Sequence, residues 1–475
     1  MTKTWNHFID GKTVEAETYF SANTPCTGQA GAQVASGTAA DVDAAVKAAE
    51  RALPAWRDCR PIERGRILTA IAAAIRARLD DFAAIERAEG GKPLWQAKFE
   101  IEIAAQYFEF YGGLVNLYQG ETIGLGAGYH SYTRREPFGV VGVITPWNAP
   151  VNQAARGIAP ALAAGNTVVS KPSEFTSGTT VLLAQVAAEC GLAPGVLNIV
   201  LGEGATVGAA ITEHPGIRKM AFTGSIRAAR EIGKVAAHRI IPLTLELGGK
   251  SPNIVFDDAD FEEAVGGAVK AFVVNAGQIC LAGTRLLVQK SIADRFVNAL
   301  VEQLKKVEVG PGDNALVGSI TTKAQYERVQ EFFDIARDEG AKAVLGGAAE
   351  RREEWGEGWF LPLTVYTDVT NDMRIAREEI FGPVLTVIPF EDEADAIRIA
   401  NDTDYGLAAG IWTQNLGRAH RVAAAVEAGQ IYVNEYSAGG VETPLGGFKQ
   451  SGYGHEKGIE ALHHYTQLKC VTIKL

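Results

Sequence analysis

The stretch VVGVITP, Val140–Pro146, is a short run of apolar residues that ends at a polar turn. Similar runs follow in NTVVSKP, Asn166–Pro172, in VLNIVLG, Val196–Gly202, and in KMAFTGS, Lys219–Ser225. A helical pattern separates the first two of these later runs, in TTVLLAQVAAECGL, Thr179–Leu192. Short apolar strands that alternate with helices of this length predict a parallel sheet covered by helices. The predicted fold class is therefore α/β.

A second alternating series begins just after residue 250 and predicts a second parallel sheet. Its apolar strands read SPNIVF, TRLLVQ, PVLTVIPF and AAGIWT. The chain from Ala40 to Tyr118 reads instead as successive amphipathic helices, and Asp41 is predicted to cap the first of them. The final LKCVTIKL, Leu468–Leu475, alternates like a strand that has no partner in its own neighbourhood. We expect it to join another sheet or another subunit.

Length and charge limit the classes of function. The chain has 475 residues, too many for one ordinary core, which predicts two or three domains. Its net charge is −11 and no block rich in Lys or Arg is present, which argues against nucleic acid or an anionic membrane as a partner. No run approaches the roughly 18 apolar residues of a membrane span. The opening residues lack the apolar core of a signal peptide, so a cytoplasmic location is the expectation.

The five cysteines and eight histidines show no spacing typical of a metal site. The cysteines are odd in number, widely scattered and form no C-x-x-C pair, so neither a disulfide framework nor a zinc site is predicted. The sequence thus indicates an enzyme without a bound metal.

Polar residues follow several of the predicted strands, at the sheet edge where open parallel sheets bind ligands. Lys171 and Glu174 in VSKPSE are suited to the two hydroxyls of a ribose, or else form an exposed ion pair at a helix start. Gly204 lies in a glycine-rich turn one residue longer than G-x-G-x-x-G. Gly224 and Ser225 end the next strand, where backbone amides at a helix N-terminus can meet a phosphate. Together these strand ends indicate a nucleotide site.

Three further residues are suited to covalent chemistry. Cys280 lies in NAGQICLAG among small and apolar residues, where a thiol is either a buried structural group or a nucleophile activated from elsewhere. Glu246 in LELGGKSP ends a strand before two glycines, and Asn148 in PWNAP is a rigidly held amide donor. A thiolate, a base and an oxyanion donor form an acyl-transfer set.

Seven motifs resemble, in the same order, those of the NAD(P)-dependent aldehyde dehydrogenase superfamily: ITPWNAP, KPSE, FTGS, LELGGKSP, NAGQICLAG, EEIFGPV and PLGGFKQSGYG. The resemblance runs from about Phe8 to Leu475, which is nearly the whole chain. It implies the aldehyde dehydrogenase fold, with a Rossmann-like cofactor domain, an α/β catalytic domain and a small β extension for oligomerisation.

The resemblance also implies where these parts lie in the chain. We expect the NAD-binding domain to comprise residues 1–119 and 138–248, and the catalytic domain residues 249–450. The oligomerisation strands are expected at 120–137 and 460–475. A homo-oligomer, either dimer or tetramer, is implied as well.

The resemblance assigns catalytic roles to three residues. Cys280 would be the nucleophile that attacks the aldehyde carbon, and the Asn148 amide with the Cys280 backbone N–H would hold the resulting oxyanion. Hydride would then pass to the nicotinamide and leave a thioester. Glu246 would deprotonate the water that releases the acid. The implied activators of the thiol are the positive ring of the cofactor, a helix N-terminus and Glu246.

The cofactor residues carry over in the same way. By resemblance, Lys171 and Glu174 bind the adenosine ribose. The other residues of the implied site are Gly204, Gly224, Ser225, Glu379, Phe381, Thr145 and Trp147. Glu174 favours NAD, with NADP as the alternative, because a carboxylate accepts from a ribose 2′-hydroxyl and repels a 2′-phosphate. Ala229 stands where the family commonly has a glycine; we expect the helix to form, with cofactor affinity the open question.

The substrate is the least defined part. Ile279 and Leu281 flank the nucleophile as apolar walls. Arg156 resembles the carboxylate-binding arginine of succinic semialdehyde dehydrogenases, but the position of their second arginine reads Val274 here. Arg156 therefore either binds an anionic or strongly polar aldehyde, or pairs with a local acid or a subunit neighbour. Aliphatic, aromatic and semialdehyde substrates all stay open.

Two other functions are weighed against a non-acylating aldehyde dehydrogenase. A CoA-acylating relative would cleave the thioester with CoA, and Glu246 argues against it because such relatives commonly lack that base. A catalytically silent protein of the same fold would have no need to retain Cys280, Asn148, Glu246, Lys171 and Glu379 together.

Overall fold

The computed structural model describes residues 3–117 and 119–475, so the predicted helix end at Tyr118 lies outside the described residues. Its first sheet has eight strands, of which the five central ones are parallel. In spatial order the strands are Gly452–Tyr453, Leu243–Glu246, Ile217–Thr223, Val140–Ile144, Thr167–Lys171, Leu197–Ile199, His7–Ile9 and Lys12–Val14.

The second sheet has seven strands, and all are parallel except the first, which is antiparallel to its neighbour. In spatial order they are Lys342–Leu345, Thr364–Thr367, Val384–Phe390, Arg285–Gln289, Pro252–Val255, Ala408–Trp412 and Gln430–Val433. The two predicted series of alternating strands thus form two separate parallel sheets.

The C-terminal strand Thr466–Lys474 pairs along its whole length with Tyr129–Pro137. Thr122–Ile123 completes this antiparallel sheet of three strands. The prediction that the C-terminal segment adds to another sheet is confirmed. Two smaller sheets are formed by Thr4–Trp5, Gln29–Ala35 and Tyr19–Thr24, and by Tyr405–Gly406 with Phe448–Lys449.

Helices cover the two parallel sheets. The α-helices are Ala39–Asp58, Pro61–Ala77, Leu79–Gly90, Leu94–Leu114, Pro150–Ala163, Gly178–Glu189, Ala209–Glu213, Ile226–Arg239, Phe261–Val273, Ala293–Leu304, Lys323–Asp338, Arg374–Arg377, Glu393–Asn401, Leu416–Ala425 and Glu460–His464. No helix in the described part of the chain is long and apolar enough to cross a membrane.

The first helix begins one turn earlier than predicted. Thr38 is its N-cap, and Asp41 lies inside the first turn, where its carboxylate accepts from the Thr38 backbone N–H at 2.8 Å. Asp41 therefore closes a capping box from the third helical position, and the prediction of Asp41 as the cap was wrong.

The central strands are rich in apolar residues because both of their faces are covered. Every residue of Val140–Ile144 and of Thr167–Lys171 is buried. The strands pack closely at Gly142, where a Cβ would lie 2.5 Å from the Met220 sulfur and would force that side chain to shift. Lys171 ends one strand and Glu246 ends another, so both lie at the carboxyl edge of the first sheet. The division into domains stays a prediction.

The side chain of Arg285 connects the second sheet to the helix Glu393–Asn401. Its fully buried guanidinium donates to the carbonyl oxygens of Lys250, Ile399 and Ala400 at 2.7–3.1 Å. Arg285→Met leaves these three acceptors unpaired and is expected to cost about 3 kcal/mol or more.

The matched control is Arg421→Met, whose exposed pair with Glu393 is expected to contribute less than about 1 kcal/mol. The measurement is the midpoint of thermal unfolding. Arg285→Met should lower it clearly more than the control does, and equal shifts would contradict this account.

Candidate active site

The loop that carries Cys280 begins with a left-handed turn. Asn275, Ala276 and Gly277 have φ of 54°, 53° and 73°. A Cβ at Gly277 would lie 2.0 Å from the Gly382 carbonyl oxygen, so only glycine is tolerated there. Left-handed backbone at the two residues that carry a Cβ costs roughly 1–2 kcal/mol each. The surrounding contacts must therefore hold this turn in place.

Asn148 is held against the same loop. It follows the buried strand Val140–Ile144, is 4% exposed, and its Nδ2 donates to the Gln278 carbonyl oxygen at 2.8 Å. An amide Nδ2 carries two N–H groups. Gln278 lies two residues before Cys280, so this bond fixes the orientation of the Asn148 amide against the Cys280 loop. The second N–H of the amide can donate to the oxygen of a ligand.

Glu246 is the last residue of its strand and is 2% exposed. Its Oε1 has no hydrogen-bond partner among the described residues. Burial raises the pKa of Glu246 to about 8; the nearby carboxylate of Glu456 adds to this effect, and the charges of Arg156 and Lys457 oppose it. A carboxyl with this pKa can change its protonation state near neutral pH, as a general base must.

Arg156 is buried beside the site and is already paired. Its Nε forms an ion pair with Glu456, and one terminal nitrogen donates to Thr223 Oγ1 at 3.1 Å. Both partners of the ion pair are less than 10% exposed. Their opposite charges act on the pKa of Glu246 in opposite directions. The pair thus links the helix Pro150–Ala163 to the C-terminal part of the chain.

Cys280 lies half-buried between the helix Phe261–Val273 and the strand Arg285–Gln289. Burial raises the pKa of its thiol to about 12; the Arg156 charge opposes this effect, and Glu246 and Glu379 add to it. The thiol is therefore protonated at neutral pH in the cofactor-free protein. Its two predicted apolar neighbours, Ile279 and Leu281, are also half-buried.

The predicted ribose-binding residues lie together at a strand end. Lys171 Nζ contacts Glu174 Oε2 at 3.1 Å and donates to the Pro172 carbonyl oxygen at 3.0 Å. Lys171 is buried, whereas a quarter of the Glu174 side chain is exposed. Thr145 directly follows the neighbouring strand Val140–Ile144. Its buried Oγ1 has no hydrogen-bond partner among the described residues, while its backbone N–H donates to the Lys171 carbonyl oxygen. These groups fit a polyhydroxyl ligand that approaches from solvent.

The predicted phosphate-binding segment starts two helices. Gly204 begins a π-helical turn, Gly204–Gly208, and a Cβ at Gly204 would meet no atom within 4 Å, so the backbone there is open to a ligand. Ser225 caps the helix Ile226–Arg239 by accepting from the Ala228 N–H at 3.3 Å. Gly224 packs against the Phe222 ring. The helix continues through Ala229 as expected.

Glu379 and Phe381 lie on the nucleophile side of the site. Glu379 Oε1 accepts from the Gly249 N–H at 3.1 Å, and burial raises the pKa of Glu379 to about 7. Phe381 has a φ of 57°, and its ring meets Trp147 edge to face at a centroid distance of 5.3 Å. The residues present fit a dinucleotide: a lysine–carboxylate pair, an open helix start and a buried carboxyl at the opposite end.

Comparison with known proteins identifies the family. Residues 12–471 match the model described as "Aldehyde dehydrogenase family". The chain belongs to the aldehyde dehydrogenase family. It is 43% identical to a betaine aldehyde dehydrogenase of Mesorhizobium japonicum, over 99% of this chain and 97% of that protein, and 42% identical to one of Brucella anthropi, over the same shares.

Solved structures of this family superpose closely on the chain. A putative aldehyde dehydrogenase of Burkholderia cenocepacia has a TM-score of 0.98 at 40% identity and covers 100% of this chain and 98% of its own. A Staphylococcus aureus betaine aldehyde dehydrogenase in complex with NAD+ has a TM-score of 0.96 at 37% identity, over 99% and 94%. The predicted family, fold class and enzyme class are confirmed.

Sequence analysis missed two parts of this aldehyde dehydrogenase site. Glu456, the partner of Arg156, lies just beyond PLGGFKQSGYG, a motif used only to recognise the family. Lys92, whose Nζ donates to the Asn148 carbonyl oxygen at 3.0 Å, lies in GGKP at the start of a helix. No local pattern at either residue signals its contact, because both partners are distant in the sequence.

The raised pKa of Cys280 predicts how its thiol reacts with iodoacetamide in the cofactor-free protein. Only the thiolate reacts, so the alkylation rate should rise about tenfold per pH unit from about pH 7 to about pH 10 without levelling off. In Arg156→Met the rate at each pH should be lower, because the opposing charge is lost. Peptide mass mapping of Cys280 measures the rate, and a plateau near neutral pH would contradict this prediction.

Proposed function

We propose that the chain is a non-acylating, NAD-dependent enzyme that oxidises a neutral aldehyde to its carboxylic acid with water. The observation that carries this proposal is the convergence of three segments. The Asn148 amide is bonded to the loop of Cys280, and Glu246, with one unbonded carboxylate oxygen, lies within electrostatic range of that thiol. These are the donor, the nucleophile and the base of an acyl-transfer reaction.

Each of these residues acts at a defined atom. The Cys280 thiol gives its proton to Glu246, its sulfur bonds to the aldehyde carbon, and the free N–H of Asn148 donates to the oxygen that becomes negative. NAD held beside this carbon would supply the hydride acceptor. Glu246, after it has released the first proton to solvent, takes a proton from water, whose oxygen displaces the sulfur and releases the acid. The base form of Glu246 increases as the pH rises through about 8, so this step is favoured on the alkaline side.

The cofactor residues support NAD. In this proposal Lys171 and Glu174 would bind the hydroxyls of one ribose, and Glu379 those of the other. The backbone at Gly204, Gly224 and Ser225 would meet the phosphates, with Thr145 beside them, and Trp147 and Phe381 would border the nicotinamide. The NAD+ complex of the Staphylococcus aureus relative agrees with this choice.

Water rather than CoA is the proposed acyl acceptor. Hydrolysis of a thioester needs a base to deprotonate water, whereas transfer to a thiol does not need that base. Glu246 supplies a carboxyl with a pKa of about 8, and one of its oxygens has no hydrogen-bond partner among the described residues. A catalytically silent protein would have no reason to keep such a group buried, since an unpaired buried carboxyl is destabilising.

Arg156 bears on the substrate class. Its charge is balanced by Glu456, which supports the interpretation of Arg156 as paired with a local acid. A substrate carboxylate would have to displace Glu456 from this buried pair, and a cationic substrate would find the Glu456 carboxylate already paired. Ile279 and Leu281 offer apolar walls instead. We therefore favour an uncharged alkyl or aryl aldehyde.

Two further features stay proposals. The sheet of Thr122–Ile123, Tyr129–Pro137 and Thr466–Lys474 exposes apolar side chains, among them Leu468 and Ile473, which are 60% and 43% exposed. This surface supports a homo-oligomer, either dimer or tetramer. The second feature is the location of the protein, which we propose to be the cytoplasm.

NADH formation without CoA tests the proposed reaction and its substrate together. The kcat/KM for butanal or benzaldehyde should exceed those for succinic semialdehyde and betaine aldehyde by about tenfold or more. Cys280→Ala should abolish turnover of all four. Cys190→Ala, which changes a distant cysteine, is the matched control and should keep the activity.

A preference for the semialdehyde would place Arg156 in the pocket as a carboxylate anchor, and a preference for betaine aldehyde would indicate a cation site. Either result would overturn the neutral substrate. Turnover that requires CoA would overturn the non-acylating reaction.

Cofactor choice follows from Glu174. The kcat/KM with NAD should exceed that with NADP by about tenfold or more, and Glu174→Gln should reduce this ratio because it removes repulsion of a 2′-phosphate. Glu213→Gln, an exposed change elsewhere on the same domain, is the control and should leave the ratio unaltered. A preference of the unmodified enzyme for NADP would contradict the role of Glu174.

A further inference from the structure

A buried charge cluster lies directly behind Asn148. Lys92 is fully buried in the short loop between the helices Leu79–Gly90 and Leu94–Leu114. Its Nζ contacts Glu100 at 2.6 Å, Glu86 at 3.1 Å and the Asn148 carbonyl oxygen at 3.0 Å. An ammonium has three N–H donors. Two of them donate hydrogen bonds, to Glu100 and to the Asn148 carbonyl oxygen, whereas the contact with Glu86 is an ion pair, and Glu86 Oε2 has no hydrogen-bond partner among the described residues.

The Asn148 carbonyl oxygen also accepts from the nucleophile loop. Asn275 Nδ2 donates to it at 2.9 Å and contacts the Gln278 carbonyl oxygen at 3.3 Å. Asn275 is the first of the three left-handed residues that precede Cys280. One oxygen atom thus receives a donor from Lys92 and a donor from the strained turn. This oxygen therefore connects the backbone of Asn148 to the side chain of Asn275 in the turn.

A second connection closes the network. Gln96 Nε2 donates to Glu100 at 2.8 Å, and Gln96 Oε1 accepts from the Asn275 backbone N–H at 3.1 Å. The Lys92 cluster therefore holds Asn275 at its backbone as well as through the Asn148 oxygen. All of these groups are buried. Such a buried network is rigid where its groups are bonded, because Lys92, Gln96 and Asn275 cannot move without losing a hydrogen bond.

We propose that Lys92 is a positioning residue for the oxyanion donor, acting through the Asn148 carbonyl oxygen. This inference rests on the proposed roles of Asn148 and Cys280. The ammonium fixes the oxygen on which the Asn148 strand end and the Cys280 loop converge. Without it, the Asn148 amide and the sulfur of Cys280 lose their relative placement, while each group stays chemically intact.

The test separates oxyanion stabilisation from thiol reactivity. Aldehyde oxidation needs both, whereas alkylation of Cys280 by iodoacetamide forms no oxyanion and needs only the thiol. Lys92→Met should lower kcat/KM for the best aldehyde substrate by roughly 30- to 100-fold. The alkylation rate of Cys280, measured at one pH without cofactor, should change by less than about twofold.

A second variant keeps the inference testable if Lys92→Met does not fold, because that variant leaves two buried carboxylates without their cation. Asn275→Ala removes the other donor to the same oxygen and adds no unpaired charge. It should show the same pattern, with kcat/KM lowered and alkylation preserved. Because both changes act on one oxygen, the fold-loss in kcat/KM of the double variant should be smaller than the product of the two single fold-losses.

Glu89→Gln is the matched control. Glu89 is buried on the same helix as Glu86, but it accepts from Trp5 and from the Gly178 N–H and does not touch Asn148. It should keep kcat/KM. Full activity in folded Lys92→Met, or an equal fall in oxidation and alkylation in both variants, would overturn the positioning role. Aldehyde turnover that survives Cys280→Ala would instead refute the proposed function, and with it the premise of this inference.

Discussion

The buried ion pair between Arg156 and Glu456 is the interaction on which the charges of this site depend. Glu246 and Cys280 lie nearby with little access to water, where an unbalanced charge is costly. Glu456 adds to the raised pKa of Glu246 and Arg156 opposes it, and Arg156 also opposes the raised pKa of the thiol. Removal of either partner would therefore change the protonation of groups that it does not touch.

The position of the site follows from how the two sheets are connected. Glu246 ends a strand of the first sheet, and Cys280 lies in the loop that precedes the strand Arg285–Gln289 of the second sheet. Asn148 follows a central strand of the first sheet and is bonded to the Cys280 loop through Gln278. The proposed reacting groups thus lie at the ends of elements that are held in place by the two cores, while the strained turn at Asn275 is held by polar contacts.

Much of the fold was predictable because local pattern and tertiary role agree. Apolar runs such as Val140–Ile144 are buried on both faces, so the apolar pattern alone predicts a strand that is covered on both sides. Cys280, Glu246 and Asn148 could be selected as candidates because each lies in a distinctive motif, and their catalytic roles stay proposals. The first helix cap was misplaced because Thr38 and Asp41 share a capping box, in which either residue is a common cap.

The contacts that organise the site were not predictable from one sequence. Glu456 pairs with an arginine 300 residues earlier in the chain, and Lys92 bonds to the backbone of Asn148, which any residue there would present. Asn275 and Ala276 adopt a backbone conformation that residues with a Cβ rarely take, so no local preference indicates it. Such features arise only when distant elements pack together.

We propose that Cys280 forms a thioester and that Glu246 deprotonates the water that hydrolyses it. The most direct test measures the mass of Glu246→Gln after incubation with NAD and benzaldehyde or butanal, followed by peptide mapping. One acyl group on Cys280 is expected in this variant, and none that accumulates in the unmodified enzyme. Continued production of acid by Glu246→Gln at the normal rate, or an adduct at another residue, would contradict it.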